Sequence, residues 1–184
     1  MTDKLKYYFE NQGWFSKKPI TVNDIKINLN ISRINNKPRC AFWTSTIVDG
    51  ETQWMDFCKH EFEDRYKDSK LYRVRLKNTD KIKILTLNLK GLIENRYDEY
   101  LTKPYIENDD KEIADILTTL DYEKISHDYD IIHFPVNYGW SVYCSDIIKN
   151  PIHRHLYINV FNTMDCECSI FLNTNFIEDI IPFK

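Results

Sequence analysis

The architecture turns on DCECSIFL, Asp165 to Leu172. Acids and cysteines alternate, and an apolar run follows. On a strand, successive side chains point to opposite faces. The Cys166 and Cys168 thiols therefore share one face, and the Asp165 and Glu167 carboxylates share the other. With the cysteines turned to the core, the acids stand outside it at the strand's entry. They are then either solvated acids or a pair lining a cleft, where one acid polarises a hydroxyl or stabilises a cation. Zinc is the competing reading, with His153 and His155 as further ligands. Structural zinc sites, however, favour C-x(2–4)-C spacing over C-x-C. A redox pair needs C-x-x-C, which this sequence lacks.

Far upstream, FWTSTI (Phe42 to Ile47) sets a Trp beside three hydroxyl residues. Alternation puts Thr44 and Thr46 on one face of that strand and Ser45 on the other. Taken alone, they are ordinary strand residues. Arg33 follows the alternating stretch IKINLNIS (25–32), where an arginine either faces solvent or holds an anion.

The chain has 184 residues, 42% of them hydrophobic, with 12 Tyr and 10 Phe, enough for one domain with a sizeable core. Its 25 basic and 28 acidic side chains leave a net charge of −3. No basic excess marks a nucleic-acid binder, although a local basic face can sit inside a neutral total. The start, MTDKLKYYFENQG, lacks the apolar centre of a signal peptide. No apolar run approaches the ~18 residues that span a membrane. These features predict a soluble, cytoplasmic protein whose 5 cysteines are reduced. The 4 glycines, at positions 13, 50, 91 and 139, are too scattered for a G-x-G-x-x-G or Walker A phosphate loop.

Periodicity predicts a helix over 4–12, with Leu5, Tyr8 and Phe9 on one face and Gly13 as its stop. Strands are expected over 25–32 and 40–46. Thr52 then caps a helix bearing Trp54, Phe57, Cys58 and Phe62, whose aromatic face reads as core. Segments 71–77 and 81–87 read as a hairpin or two consecutive strands. Helices are expected over 88–102 and 109–120, and strands over 128–137, 168–172 and 177–183. His133 reads as a core or edge histidine, and His153-Arg154-His155 as a basic loop able to touch a phosphate or an acceptor. This mixed order, with several adjacent strands, gives an α+β class and one domain over 1–184.

In order, Arg33, Trp43-Thr44-Ser45-Thr46 and Asp165-Cys166-Glu167 resemble the mono-ADP-ribosyltransferases of the arginine–serine–glutamate type. In that family an Arg ends the first core strand, Ser-Thr-Ser lies on the next, and Glu-x-Glu opens a late strand. Here Thr44 stands for the first Ser and Asp165 for the first Glu, and Arg39 rivals Arg33. More narrowly, KPRCAFWTST, TQWMDF and DCECSIFL are similar to small phage-borne proteins that pair K-P-x-G-x-W-x-S with W-D-x-E-S-T-x-W-L. Cys40, Met164 and Cys168 depart from that pattern. The resemblance covers most of 25–183.

It implies a split β-sheet core with flanking helices, NAD⁺ as substrate, and no metal or membrane. It implies Glu167, Ser45 and Asp165 as catalytic residues. Glu167 would bond the ribose 2′-hydroxyl and stabilise an oxocarbenium-like transition state, Ser45 would orient it, and Asp165 would position the acceptor. Arg33, Trp43, Thr44 and Thr46 would bind NAD⁺, with Arg33 on the pyrophosphate and Trp43 or a Tyr on nicotinamide. The implied activity is phage-encoded transfer of ADP-ribose to a host macromolecule, protein or nucleic acid, in host takeover, counter-defence or toxicity. Two alternatives share the scaffold. One is an inactive module gripping a nucleotide or a defence protein. The other is an RNA 2′-phosphotransferase, which wants a basic cleft.

Overall fold

The computed structural model describes residues 3–31, 37–102, 118–135, 148–164 and 166–184. Arg33, Asp165 and most of the helix expected over 109–120 lie outside the described residues.

Strand β4 (Phe42–Thr46) is shared by two halves of one sheet. Its residues Phe42 to Thr44 pair antiparallel with β10 (Cys168–Phe171), whereas Ser45 and Thr46 pair antiparallel with β1 (Gln12–Ser16). Outside β1 lie β5 (Lys70–Leu76) and β11 (Ile177–Pro182). Outside β10 lie β9 (Ile131–Phe134) and β6 (Ile84–Thr86). The result is a 7-stranded sheet in the order β11-β5-β1-β4-β10-β9-β6, antiparallel except for the β9–β6 pair. Two small ribbons accompany it: β2 (Asn28–Ile31) with β3 (Pro38–Cys40), and β7 (Leu101–Thr102) with β8 (Thr119–Leu120). With its helices, the class is α+β.

Strand alternation divides the core into faces. Ile132, Phe134, Cys168 and Ile170 point to one side. There they meet α5 (Tyr122–Asp128) and α6 (Pro151–Asn159) through Tyr122, Leu156 and Tyr157. Ile131, Phe171 and Phe42 point to the other side, where α1 (Asp3–Glu10) contributes Phe9. Each such fully buried side chain contributes roughly 1.5–3 kcal/mol. A third cluster joins Phe15, Ile47 and Leu71 to Cys58 of α2 (Gln53–Glu61).

Local chemistry explains several elements. Thr52 caps α2 as expected, its hydroxyl accepting from the Met55 N–H at 3.1 Å. Asp56 in the first turn and Lys59 and His60 in the last suit the helix dipole. Asn150 caps α6 by accepting from the Ile152 N–H at 3.0 Å, with Pro151 opening the helix.

Other expectations are corrected. Gly13 does not stop a helix: it lies inside β1, where a Cβ would come within 2.7 Å of Ile47 Cγ1. Strand β1 is an interior strand beside the central β4, N-terminal to the stretch 25–183 that carries the resemblance. Segments 71–77 and 81–87 are two consecutive strands and not a hairpin, because β5 and β6 lie in opposite halves of the sheet. The helix expected over 88–102 shortens to α4 (Leu89–Ile93), and Thr119–Leu120 is a strand. On α2, Cys58 alone is fully buried, while Phe62 beyond its end is exposed. His153-Arg154-His155 is no loop. It lies in α6, where His153 is buried with Nε2 2.5 Å from Asp98 Oδ1.

Candidate functional site

Register assembles a polar row across the sheet. Ser169 of β10 faces Thr44 of β4 on one side and His133 of β9 on the other. Cross-strand partners share a face, so these three side chains line up. Glu167, two residues before Ser169, falls on the same face by alternation. Helix α1 lies over this row, with the Tyr8 ring edge-on to His133 at 4.2 Å between centroids.

The Glu167 carboxylate is 4% exposed and surrounded by donors. Oε2 accepts from the Thr46 N–H at 2.7 Å and lies 2.8 Å from Ser45 Oγ. Ser45 Oγ also lies 2.8 Å from the Glu167 main-chain oxygen, so its single proton serves one acceptor at a time. Oε1 accepts from Thr46 Oγ1 at 3.2 Å and from the Tyr8 hydroxyl. The Glu167 N–H donates to Gln53 Oε1 at 2.7 Å, tying the strand entry to α2. Burying a carboxylate without partners is costly, and this donor set is what permits it here.

Gln12 braces the arrangement. It is fully buried, and its Nε2 reaches the Tyr8 carbonyl at 2.9 Å and Thr46 Oγ1 at 3.3 Å. Its Oε1 accepts from Thr44 Oγ1 at 2.5 Å. One amide thus joins α1 to both threonines of β4. Burial, and then the neighbouring Glu167 carboxylate, push the Tyr8 phenol well above its ordinary range, so it stays a donor. Burial pulls His133 down to about 4, so its imidazole is neutral near pH 7. His133 Nδ1 lies 3.0 Å from Ser169 Oγ, and among the described residues its Nε2 has no hydrogen-bond partner.

A cleft of about 670 Å³ opens beside this network. Trp43 and Ser45 of β4 and Trp54 of α2 line it. So do Cys166 and Cys168, both buried. The faces of DCECSIFL divide as alternation predicts, with Cys168 also part of the core beneath α5 and α6, but the face that meets the cleft is the cysteine face and not the acid face. The cysteines form cleft wall, while Glu167 turns beneath α1 and is not among the lining residues. The charged residues of the lining are all cationic: Lys17, Lys18, Lys37 and Arg65.

The site residues named from sequence thus divide. Ser45, Thr46 and Glu167 converge; Thr44 joins them through Gln12; Trp43 lines the cleft beside them. Arg33 and Asp165 lie outside the described residues, and Arg39 is exposed on β3. Tyr8 and Gln12 escaped sequence reasoning. Nothing local marks them, since Tyr8 reads as the apolar face of a helix. Among the described residues, no group of three or more His, Cys, Asp or Glu could hold a metal, and no helix is long and apolar enough to cross a membrane. Compared with protein-family models, curated proteins and solved structures, the chain has no significant match.

Proposed function

We propose that the protein is an NAD⁺-dependent mono-ADP-ribosyltransferase, with the sheet divided along β4 as its split-sheet scaffold. One observation carries this reading: the Ser45 hydroxyl and the Glu167 carboxylate, residues of two separated motifs, meet at 2.8 Å beside the cleft. In the reaction, the bond between nicotinamide and ribose C1′ breaks, and its electron pair leaves with neutral nicotinamide. The acceptor's nucleophile bonds C1′ and releases its proton to solvent. Glu167 would hold the ribose 2′-hydroxyl and stabilise positive charge developing on the sugar, while Ser45 and the Thr46 N–H fix its orientation. The indole of Trp43 suits stacking on the base or nicotinamide, and the cationic wall suits the pyrophosphate. For the carboxylate to reach a ribose, the Tyr8 hydrogen bond must yield, so the described arrangement is a resting one. Incubating the purified chain with NAD⁺ and host lysate tests the reading, with free nicotinamide and labelled adducts as readouts. Wild type should release nicotinamide and Glu167→Gln should not; a silent wild type in every lysate sinks it.

One observation favours a second reading. Glu167 is sealed beneath Tyr8 and absent from the cleft lining, as expected of an inactive module that grips a nucleotide without chemistry. Ligand-dependent melting shifts without nicotinamide release, unchanged by Glu167→Gln, would decide for it.

A further inference from the structure

We propose that the cationic, indole-lined cleft binds single-stranded nucleic acid; resting on the transferase reading above, that strand is then the acceptor. The chain is acidic overall, at −3, yet the charged side chains lining this cleft are all basic. A local field of this kind concentrates phosphate. Of the 4 tryptophans in the sequence, Trp43 and Trp54 line this cleft, whereas the Trp14 ring packs on Phe42 and Tyr72 on the opposite face of the sheet. Indole faces beside a basic groove form the stacking platform on which unpaired bases bind regardless of sequence.

The two features are interleaved. Lys37 Nζ sits 5.6 Å from the Trp43 ring centroid, and Arg65 Cζ sits 5.8 Å from that of Trp54. Each pair sets a cation against an indole; Lys37 Nζ also donates to the Thr163 carbonyl at 2.9 Å and Trp54 stacks on Phe57 at 5.5 Å between centroids, so an incoming base joins or displaces these contacts while the cations meet its phosphate. Strand β1 carries the cleft wall from Gly13, opposite Ser45, to Ser16, roughly 10 Å at strand rise. Lys17 and Lys18 follow at that outer end. Lys17 is held by Asp68 at 2.9 Å, but both side chains are at least half exposed, so a phosphate can compete for it. NAD⁺ near Ser45 would occupy the inner part, and the outer cations are left for the partner that receives ADP-ribose. A duplex hides its bases from such a platform, so the match is to a single strand.

The test uses the purified full chain with fluorescein-labelled oligothymidylate and oligouridylate. Anisotropy and quenching of the intrinsic tryptophan emission are the readouts. Single strands should bind, quench, and weaken as salt rises, with a log–log slope of roughly −2 to −3 for three or four neutralised phosphates. The corresponding duplex should compete poorly. The double variant Lys18→Glu/Arg65→Glu should lose about ten-fold or more, with circular dichroism showing that it still folds, and Trp54→Ala should lose about as much. No quenching by either strand, or unchanged affinity in the double variant, overturns the proposal. So does label from NAD⁺ landing on polypeptide in nuclease-treated lysate. Failure of the two readings is distinguishable. Nicotinamide release without strand binding refutes the strand alone, and strand binding without nicotinamide release refutes the transfer alone.

Discussion

The Ser45 hydroxyl lies 2.8 Å from Glu167 Oε2, although 122 positions separate the two residues in the chain. Neither strand alone makes the pair. It forms because β10 docks on the first half of β4 and sets the Glu167 entry beside the second half.

Removing this carboxylate should separate chemistry from stability. Glu167→Gln keeps the shape and is expected to lower nicotinamide release at least about a hundredfold. Glu167→Ala strands the Thr46 N–H and the Tyr8 hydroxyl without an acceptor, while Ser45 Oγ keeps the main-chain oxygen of residue 167. The substitution should cost about 2 kcal/mol or more of folding stability. Nicotinamide release and urea melts on both variants check the pair.

Tyr8→Phe removes the donor that seals Oε1 and leaves Thr46 Oγ1 on that oxygen. Stability is expected to fall by about 1 kcal/mol. Turnover is expected to rise by roughly five-fold, since a carboxylate released by about that much turns more readily to substrate. Steady-state rates measured against wild type decide this; a loss of activity would mean that Tyr8 orients Glu167 rather than occluding it.

Acid should destabilise the fold through His133. Its folded value of about 4 lies below the ordinary 6.5, because burial disfavours the imidazolium. The unfolded chain therefore binds the proton first. This contribution is complete above pH 6.5, falls as pH drops through the window, and is gone near pH 4. The full span is on the order of 3 kcal/mol. Urea midpoints between pH 7 and pH 5 should fall with pH in wild type and flatten in His133→Gln.

Gly13→Ala should damage the site from a distance. A Cβ there would come within 2.7 Å of Ile47 Cγ1 and 3.0 Å of Leu71 Cδ1, and the pairing of Gly13 with Ser45 would shift. Overpacking of this kind costs about 1–3 kcal/mol. A lowered melting temperature with a further loss of turnover in the surviving folded fraction is the expected signature.

Legibility in the sequence followed range. The α2 cap at Thr52, the strand at Phe42–Thr46 and the strand at Cys168–Phe171 were readable, because each rests on residues a few positions apart. Strand β1 was not, because QGWFS lacks clean alternation and owes its strand state to β4 and β5 on either side. Helix α6 carried the Asn150-Pro151 start signal, but PIHRHLYIN is too polar for its buried face to stand out. The meeting of Ser45 with Glu167 was anticipated, whereas the direction of the carboxylate was not. That direction depends on Tyr8, 159 positions from Glu167, and on Gln12, which no pattern links to a late strand.

The sharing of β4 also has a consequence for biosynthesis. A ribosome that has just delivered Ser45 must add 122 more residues before its partner exists, and the strand that anchors that partner comes later still. Until then, the second half of β4 can pair with β1, but no carboxylate stands beside it. A nascent or prematurely terminated chain therefore lacks the pair, and whatever this pair does begins only after nearly all of the sheet has been translated.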